Sequence, residues 1–192
     1  KKVSIRKRPG TVGICAALMN RYKVDAIPHI ICGGFSKEET ESALIDLKFL
    51  GMDNILALRG DPMKNEAAFV PTEGGNTYAL DLISQINEMN NGQYLYEETK
   101  NSPSNFCIGT AGYPEKHFEA MNLSSDLKNL KKKVDAGAEF IVTQLFYDNE
   151  KFFEFVSKCR DIGIDVPIIP GIKPITNLRH LSFIPKFFHV NF

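Results

Sequence analysis

Chemistry-bearing side chains recur at the ends of short apolar runs in this chain. His29 sits in AIPHII, Arg59, Gly60 and Asp61 follow NILAL, Tyr113 and His117 follow NFCIGTAG, and Gln144 lies in FIVTQLF. Taken singly, each is as ordinary as a hydrogen-bonded group at a core rim. Their repetition at the same relative position in one run after another favours a shared ligand site. A second set, Asp126, Asn129 and Lys133, is spaced i, i+3, i+7, which places it on one helix face beside the stripe Leu127, Leu130, Val134. That face is either solvated or the polar edge of a site. In the second case Lys133 brings charge to a phosphate and Asp126 accepts hydrogen bonds from hydroxyls.

The elements that must position these groups alternate along the chain. AIPHII, NILAL, NFCIGTA, FIVTQLF and VPIIPGI are short apolar runs without period-two alternation, the pattern of strands buried on both faces. Between them lie helical patterns. SKEETESALIDLKFLG opens with a capping box, Ser36 with Glu39, aligns Ala43, Leu44, Leu47 and Leu50, and stops at Gly51. NTYALDLISQINEM has Thr77 as its cap and Ala79, Leu82, Ile83 and Ile86 on one face. DLKNLKKKVDAG closes at Gly137, and NEKFFEFVSKCRDIG stripes Phe152, Val156 and Cys159 before Gly163. Strand and helix in alternation predict right-handed βαβ units and a parallel sheet, an α/β fold. The polar stretch from about Asn90 to Ser104 reads as a surface excursion within the same domain.

Composition excludes several function classes. The 192 residues are 43% hydrophobic and 24% charged, with 23 basic and 23 acidic side chains, so no net field draws the protein to nucleic acid. No apolar stretch is long enough to span a bilayer and no signal segment follows the charged start, which predicts no membrane association and a cytoplasmic location. Cys15, Cys32, Cys107 and Cys159 form no CxxC pair and sit among apolar residues, as reduced core thiols do. His29 and Cys32 have a metal-compatible gap but no second pair, so no metal site is expected. GxGxxG and GxxxxGK[ST] are both missing, which argues against a Rossmann or P-loop nucleotide site. Arg-Gly-Asp is also an adhesion tripeptide, but adhesion needs an exposed tip, whereas this one follows a buried strand.

ALRGDP, AGYPEKHFEA, SDLKNLKKKVDAGAEFIVTQLFYDN and VPIIPGIKPIT, in that order, resemble the methylenetetrahydrofolate reductase family over about Val3 to Phe188. The resemblance implies a (β/α)8 TIM-barrel type fold that binds FAD, takes a hydride from NADH or NADPH, and reduces methylenetetrahydrofolate to methyltetrahydrofolate for methionine synthesis. It also implies that His29, Arg59, Gly60, Asp61, Tyr78, Ala79, Ala111, Gly112, Tyr113 and His117 contact FAD. Asp126, Asn129 and Lys133 would lie toward its ribityl, phosphate and ribose groups. Asp61 would be the catalytic carboxylate between flavin and folate, where negative charge stabilises the cationic iminium that accepts the hydride. Gln144 would join Asp61 in touching the folate.

The family's first two strands, with a glutamate general acid, and its last strand have no counterpart here. Residues 1–192 are therefore expected to form a single partial barrel domain with about five of eight strands, roughly the third to the seventh, inactive alone and homo-oligomeric at full length. The alternative is another flavin-dependent barrel enzyme, or one acting on a phosphorylated substrate.

Overall fold

The computed structural model describes residues 9–62, 66, 68–96 and 102–191. Most of the basic opening segment and the middle of the 90–104 excursion lie outside these residues. The strands are β1 (His29–Ile31), β2 (Asn54–Leu58), β3 (Cys107–Gly112), β4 (Phe140–Leu145) and β5 (Ile168–Gly171). They form one five-stranded sheet in the order β1-β2-β3-β4-β5, with every neighbouring pair parallel. Helix α1 (Thr11–Tyr22) precedes β1, and α2 (Lys37–Phe49), α3 (Ala79–Asn90), α4 (Leu123–Asp135), α5 (Asn149–Asp161) and α6 (Arg179–Phe188) each follow a strand. Sequential order with a helix after each strand is the βαβ arrangement the apolar runs predicted, and the sheet remains open between β1 and β5.

Two apolar layers hold α2 through α5 to the outer face of the sheet, and a third, smaller one joins Ile184 of α6 to Leu145 of β4. Ile30, Ile55, Ala57 and Ile108 pack with Leu44 and Leu47 of α2 and with Leu82, Ile83, Ile86 and Met89 of α3. Ile141 packs with Leu127 and Leu130 of α4 and with Phe155 and Cys159 of α5. Phe155 is fully buried, a burial that contributes on the order of 3 kcal/mol. Because side chains alternate along a strand, Leu56, Gly109 and Phe140, joined across the ladder, face the opposite, inner side. There the Phe140 ring lies where a Cβ on Gly109 would stand, so the strand tolerates only glycine opposite that ring.

Several local expectations change. Helix α3 begins at Ala79 rather than on a Thr77 cap: the Asp81 carboxylate accepts from the backbone N–H of Thr77 (3.2 Å) and Tyr78 (2.8 Å), so the acid in the first turn does the capping. Helix α4 begins earlier than Asp126, with the Asn122 side chain accepting from Ser125 N at 2.8 Å. On α5 the deepest aromatic is Phe155, while Phe152 is only half-buried. Leu50 lies at the exposed end of α2. Lys186 to Phe188, at the start of the apolar run KFFHVNF, close helix α6. The surface excursion is pinned at its base, where Asn90 Oδ1 accepts from Ser104 Oγ (2.8 Å) and Phe106 N (2.9 Å). The cysteines at 15, 32, 107 and 159 are all free, and only Cys107 is less than fully buried. Among the described residues no helix is long and apolar enough to cross a membrane.

Candidate functional site

The turn after β2 is shaped by backbone. Cys32 N and Gly33 N donate to the carbonyl of Arg59 at 3.2 and 3.3 Å, tying it to the segment after β1. Gly60 adopts φ +89°, which a side-chain-bearing residue rarely does, and the Ile31 side chain stands behind it at 3.5 Å from where a Cβ would be. Asp61 follows, exposed. The Arg59 guanidinium lies 5.1 Å from the centre of the Phe69 ring and forks onto Glu119, Nη1 to Oε2 at 2.6 Å and Nη2 to Oε1 at 2.9 Å. This pairing raises the Arg59 pKa and lowers that of Glu119.

The turn after β3 carries the other half. Lys116 has φ +93°, and its ammonium donates to the carbonyls of His117 (3.2 Å), Phe118 (3.3 Å) and Ala120 (2.9 Å), which holds the unusual backbone in place. The His117 ring meets Tyr113 edge-on with centroids 4.7 Å apart, and its Nδ1 accepts from Glu119 N at 3.2 Å. That bond makes Nδ1 an acceptor and leaves the proton on Nε2. Burial lowers the His117 pKa, against the opposing pull of Glu119. Burial also pushes the Tyr113 phenol up to about 12.

Helix α4 supplies the third side. Asp126 Oδ2 accepts from His117 N at 2.7 Å, and Lys133 Nζ donates to the carbonyl of Ala111 at 2.8 Å. Between them is a cavity of about 10 Å³ bounded by Gly112, Tyr113, Leu130 and Phe155, room for about one water. Lys133 is half-buried as a residue, and its ammonium is enclosed here. Burial lowers its pKa to about 8, which Asp126 only partly offsets.

Of the residues expected at the site, Arg59, Ala111, Gly112, Tyr113, His117, Asp126 and Lys133 come together through these contacts. Gln144 sits with Tyr113 in a neighbouring small pocket, its Oε1 accepting from Leu145 N at 2.9 Å. Tyr78 and Ala79 stand at the N-terminus of α3, Tyr78 well exposed, and Asn129 is exposed on α4. His29 is not at the end of its strand: it opens β1, paired with Leu56 in the middle of β2 and exposed. Gly112 is glycine for packing, because a Cβ there would come within 2.8 Å of Ile141 and 2.9 Å of Phe155 on the helix side. Sequence reasoning missed Glu119 and Phe69, the two groups that orient Arg59. The only signal for Glu119 was its place two residues after His117 in HFEA.

Parallel strands in consecutive order, a helix after each, and polar groups collected at the carboxyl ends of β2, β3 and β4 place the chain in the TIM-barrel class of folds. Solved structures agree at the level of fold. A Clostridium thermocellum protein described as binding two copies of 5-methyl-5,6,7,8-tetrahydrofolic acid superimposes with a TM-score of 0.52 at 16% identity, over 91% of this chain and 54% of that one. A 2,3-dimethylmalate lyase gives 0.53 at 11% identity, over 94% and 57%. The family profile "Methylenetetrahydrofolate reductase" matches residues 4–192, and the chain belongs to that family. Methylenetetrahydrofolate reductase (NADH) 1 of Arabidopsis thaliana is 43% identical over 178 residues, 88% of this chain and 28% of that protein. The 5,10-methylenetetrahydrofolate reductase of Pectobacterium carotovorum is 37% identical, over 92% and 52%. A probable NADPH enzyme of Caenorhabditis elegans is 39% identical, over 95% and 25%. The chain thus spans between a quarter and about half the length of these relatives.

Proposed function

We propose that this chain forms the central part of the active site of an FAD-dependent reductase that uses NADH or NADPH to convert methylenetetrahydrofolate to methyltetrahydrofolate, feeding methionine synthesis. The observation that carries the reading is the connected set Arg59, Glu119, His117, Asp126 and Lys133, which ties the carboxyl ends of β2 and β3 to one face of α4 in a chain of this family. The donors suit a flavin dinucleotide. A guanidinium, an imidazole with a free Nε2–H and an exposed amide line one rim, and the Lys133 ammonium lies behind them against a cavity that admits only a water. The cofactor therefore belongs on the rim, with Arg59, Gly60, Asp61, Tyr78, Ala79, Ala111, Gly112, Tyr113 and His117 near the flavin. Asp126, Asn129 and Lys133 then serve its ribityl, phosphate and ribose groups, and His29 is a further contact from the inner face of β1.

When bound, FAD supplies the hydride-carrying chemistry. The chain's own part is to hold charge and geometry. Asp61, exposed at the end of β2, sets a negative charge beside the reacting rings and stabilises the cationic iminium of the folate. Gln144 holds the folate from β4. Lys133 holds a positive charge behind the rim on the phosphate side, and Gly60 brings the backbone close without a side chain. The assembled reductase is cytoplasmic and homo-oligomeric in this reading, and residues 1–192 alone do not turn over.

The test is anaerobic. The full-length protein should bleach its flavin absorbance on addition of NADH or NADPH and recover it on addition of methylenetetrahydrofolate. Loss of recovery with the folate, while a quinone or oxygen restores absorbance, would assign the chain to a different flavin reaction.

A further inference from the structure

Arg59 and Glu119 stand 60 positions apart, yet the structure makes them one unit. The ladder between β2 and β3 ends at Ala57 and Thr110, and the fork joins the loops of the two strands beyond that point. Both ends of the fork are held. Arg59 is fixed through its carbonyl by Cys32 and Gly33 and through its ring contact with Phe69. Glu119 is fixed by the turn that Lys116 caps with its ammonium. A two-point fork sets the plane of a guanidinium as well as its position, which a single bond does not. The Arg59 side chain is 19% exposed and Glu119 37%, so solvent screens the pair less than it does a bridge on an open helix surface. The same residue acts a second time, since its backbone N–H holds His117 Nδ1 and leaves Nε2–H free.

We propose that Glu119 is the positioning residue of the cofactor rim: through its carboxylate it aims Arg59 at the ligand. This rests on the flavin reading. It adds to that reading a residue that need not touch cofactor or substrate and acts through Arg59. A tie that merely fastens the two loops would change hydrogen exchange in the turn and leave FAD affinity where it was, whereas a positioning residue changes both.

The experiment uses the full-length protein, with FAD affinity read from quenching of flavin fluorescence. Glu119→Ala should weaken FAD binding about tenfold, the order expected when a charge-assisted two-point bond is lost. Glu119→Gln, which keeps one acceptor, should recover part of that loss. In an Arg59→Ala background the further change Glu119→Ala should cost less than about twofold, because residues acting through one another are not additive. An undiminished tenfold loss in that background, or no loss in the wild-type background, would overturn the proposal. Hydrogen exchange on the flavin-free protein provides an arm independent of cofactor. Glu119→Ala should speed exchange at the amides of residues 59–61 about tenfold while leaving α5 unchanged. A wild-type protein that takes up no flavin would sink the proposed reductase reading, and unchanged exchange at residues 59–61 would then sink the positioning role separately.

Discussion

Lys133 costs stability by holding a charge in an enclosed place, beside the proposed cofactor rim. Its ammonium is enclosed between β3 and α4, and burial moves its pKa from 10.5 to about 8. At about 1.4 kcal/mol per pH unit, that displacement is a penalty of about 3 kcal/mol for the charged form in the folded state. The sign follows from proton counting. Between pH 8 and 10.5 the unfolded chain binds the proton more tightly than the folded one, so stability rises with pH across that window. The penalty is fully present below pH 8 and gone above 10.5. Replacing Lys133 with Met keeps the stem and removes the charge, at the cost of the bond to the Ala111 carbonyl, worth about 1 kcal/mol. Lys133→Met should therefore stabilise the flavin-free protein by about 2 kcal/mol at pH 7, with the gain shrinking toward pH 10. It should also weaken FAD binding by about tenfold. Urea unfolding of the flavin-free full-length protein at pH 7 and pH 9.5, with flavin titration alongside, measures both. A variant that is less stable at pH 7, or whose gain does not change with pH, would show that the ammonium is not held as an enclosed charge.

Three further outcomes are expected. Asp61→Asn removes the charge at the rim without changing shape and should lower the folate half-reaction about 100-fold while leaving FAD affinity within about threefold, read by stopped-flow reoxidation of the reduced enzyme. Gly109→Ala should destabilise by about 1–3 kcal/mol through overlap with the Phe140 ring, and Phe140→Leu in the same chain should recover part of that loss in thermal unfolding. His117, whose folded pKa lies below its unfolded value, makes stability fall as pH drops from about 6.5 toward that lower value. His117→Gln should flatten that part of the profile in denaturant midpoints taken between pH 7 and 5.

The distribution of legible and illegible residues has a physical cause. NILAL and FIVTQL became strands where their apolar runs stood, because a strand buried on both faces announces itself in adjacent residues. The Asp126–Lys133 face was visible for a related reason: helical spacing places both side chains on one surface before any partner is known. The same spacing did not say that Asp126 would be occupied by the His117 backbone or that Lys133 would reach the Ala111 carbonyl. Glu119 left no periodic trace. It lies in an irregular turn, and its partner is 60 residues earlier, brought near only by the parallel pairing of β2 with β3. His29 was misplaced because AIPHII fixes an apolar run without fixing its register, and pairing with Leu56 puts the imidazole at the start of β1. Phe155 was overlooked because Phe152, Phe153 and Phe155 crowd one helix, and only the packing against Ile141 and the side-chain-free Gly112 shows that Phe155 is the buried one. Local pattern therefore reveals the surfaces on which a site is built, whereas the bonds that aim its charges follow from strand order. Glu119 and Arg59 can meet only because β2 and β3 are neighbours, so the orientation of the rim depends on the sheet's topology as much as on the residues that line it.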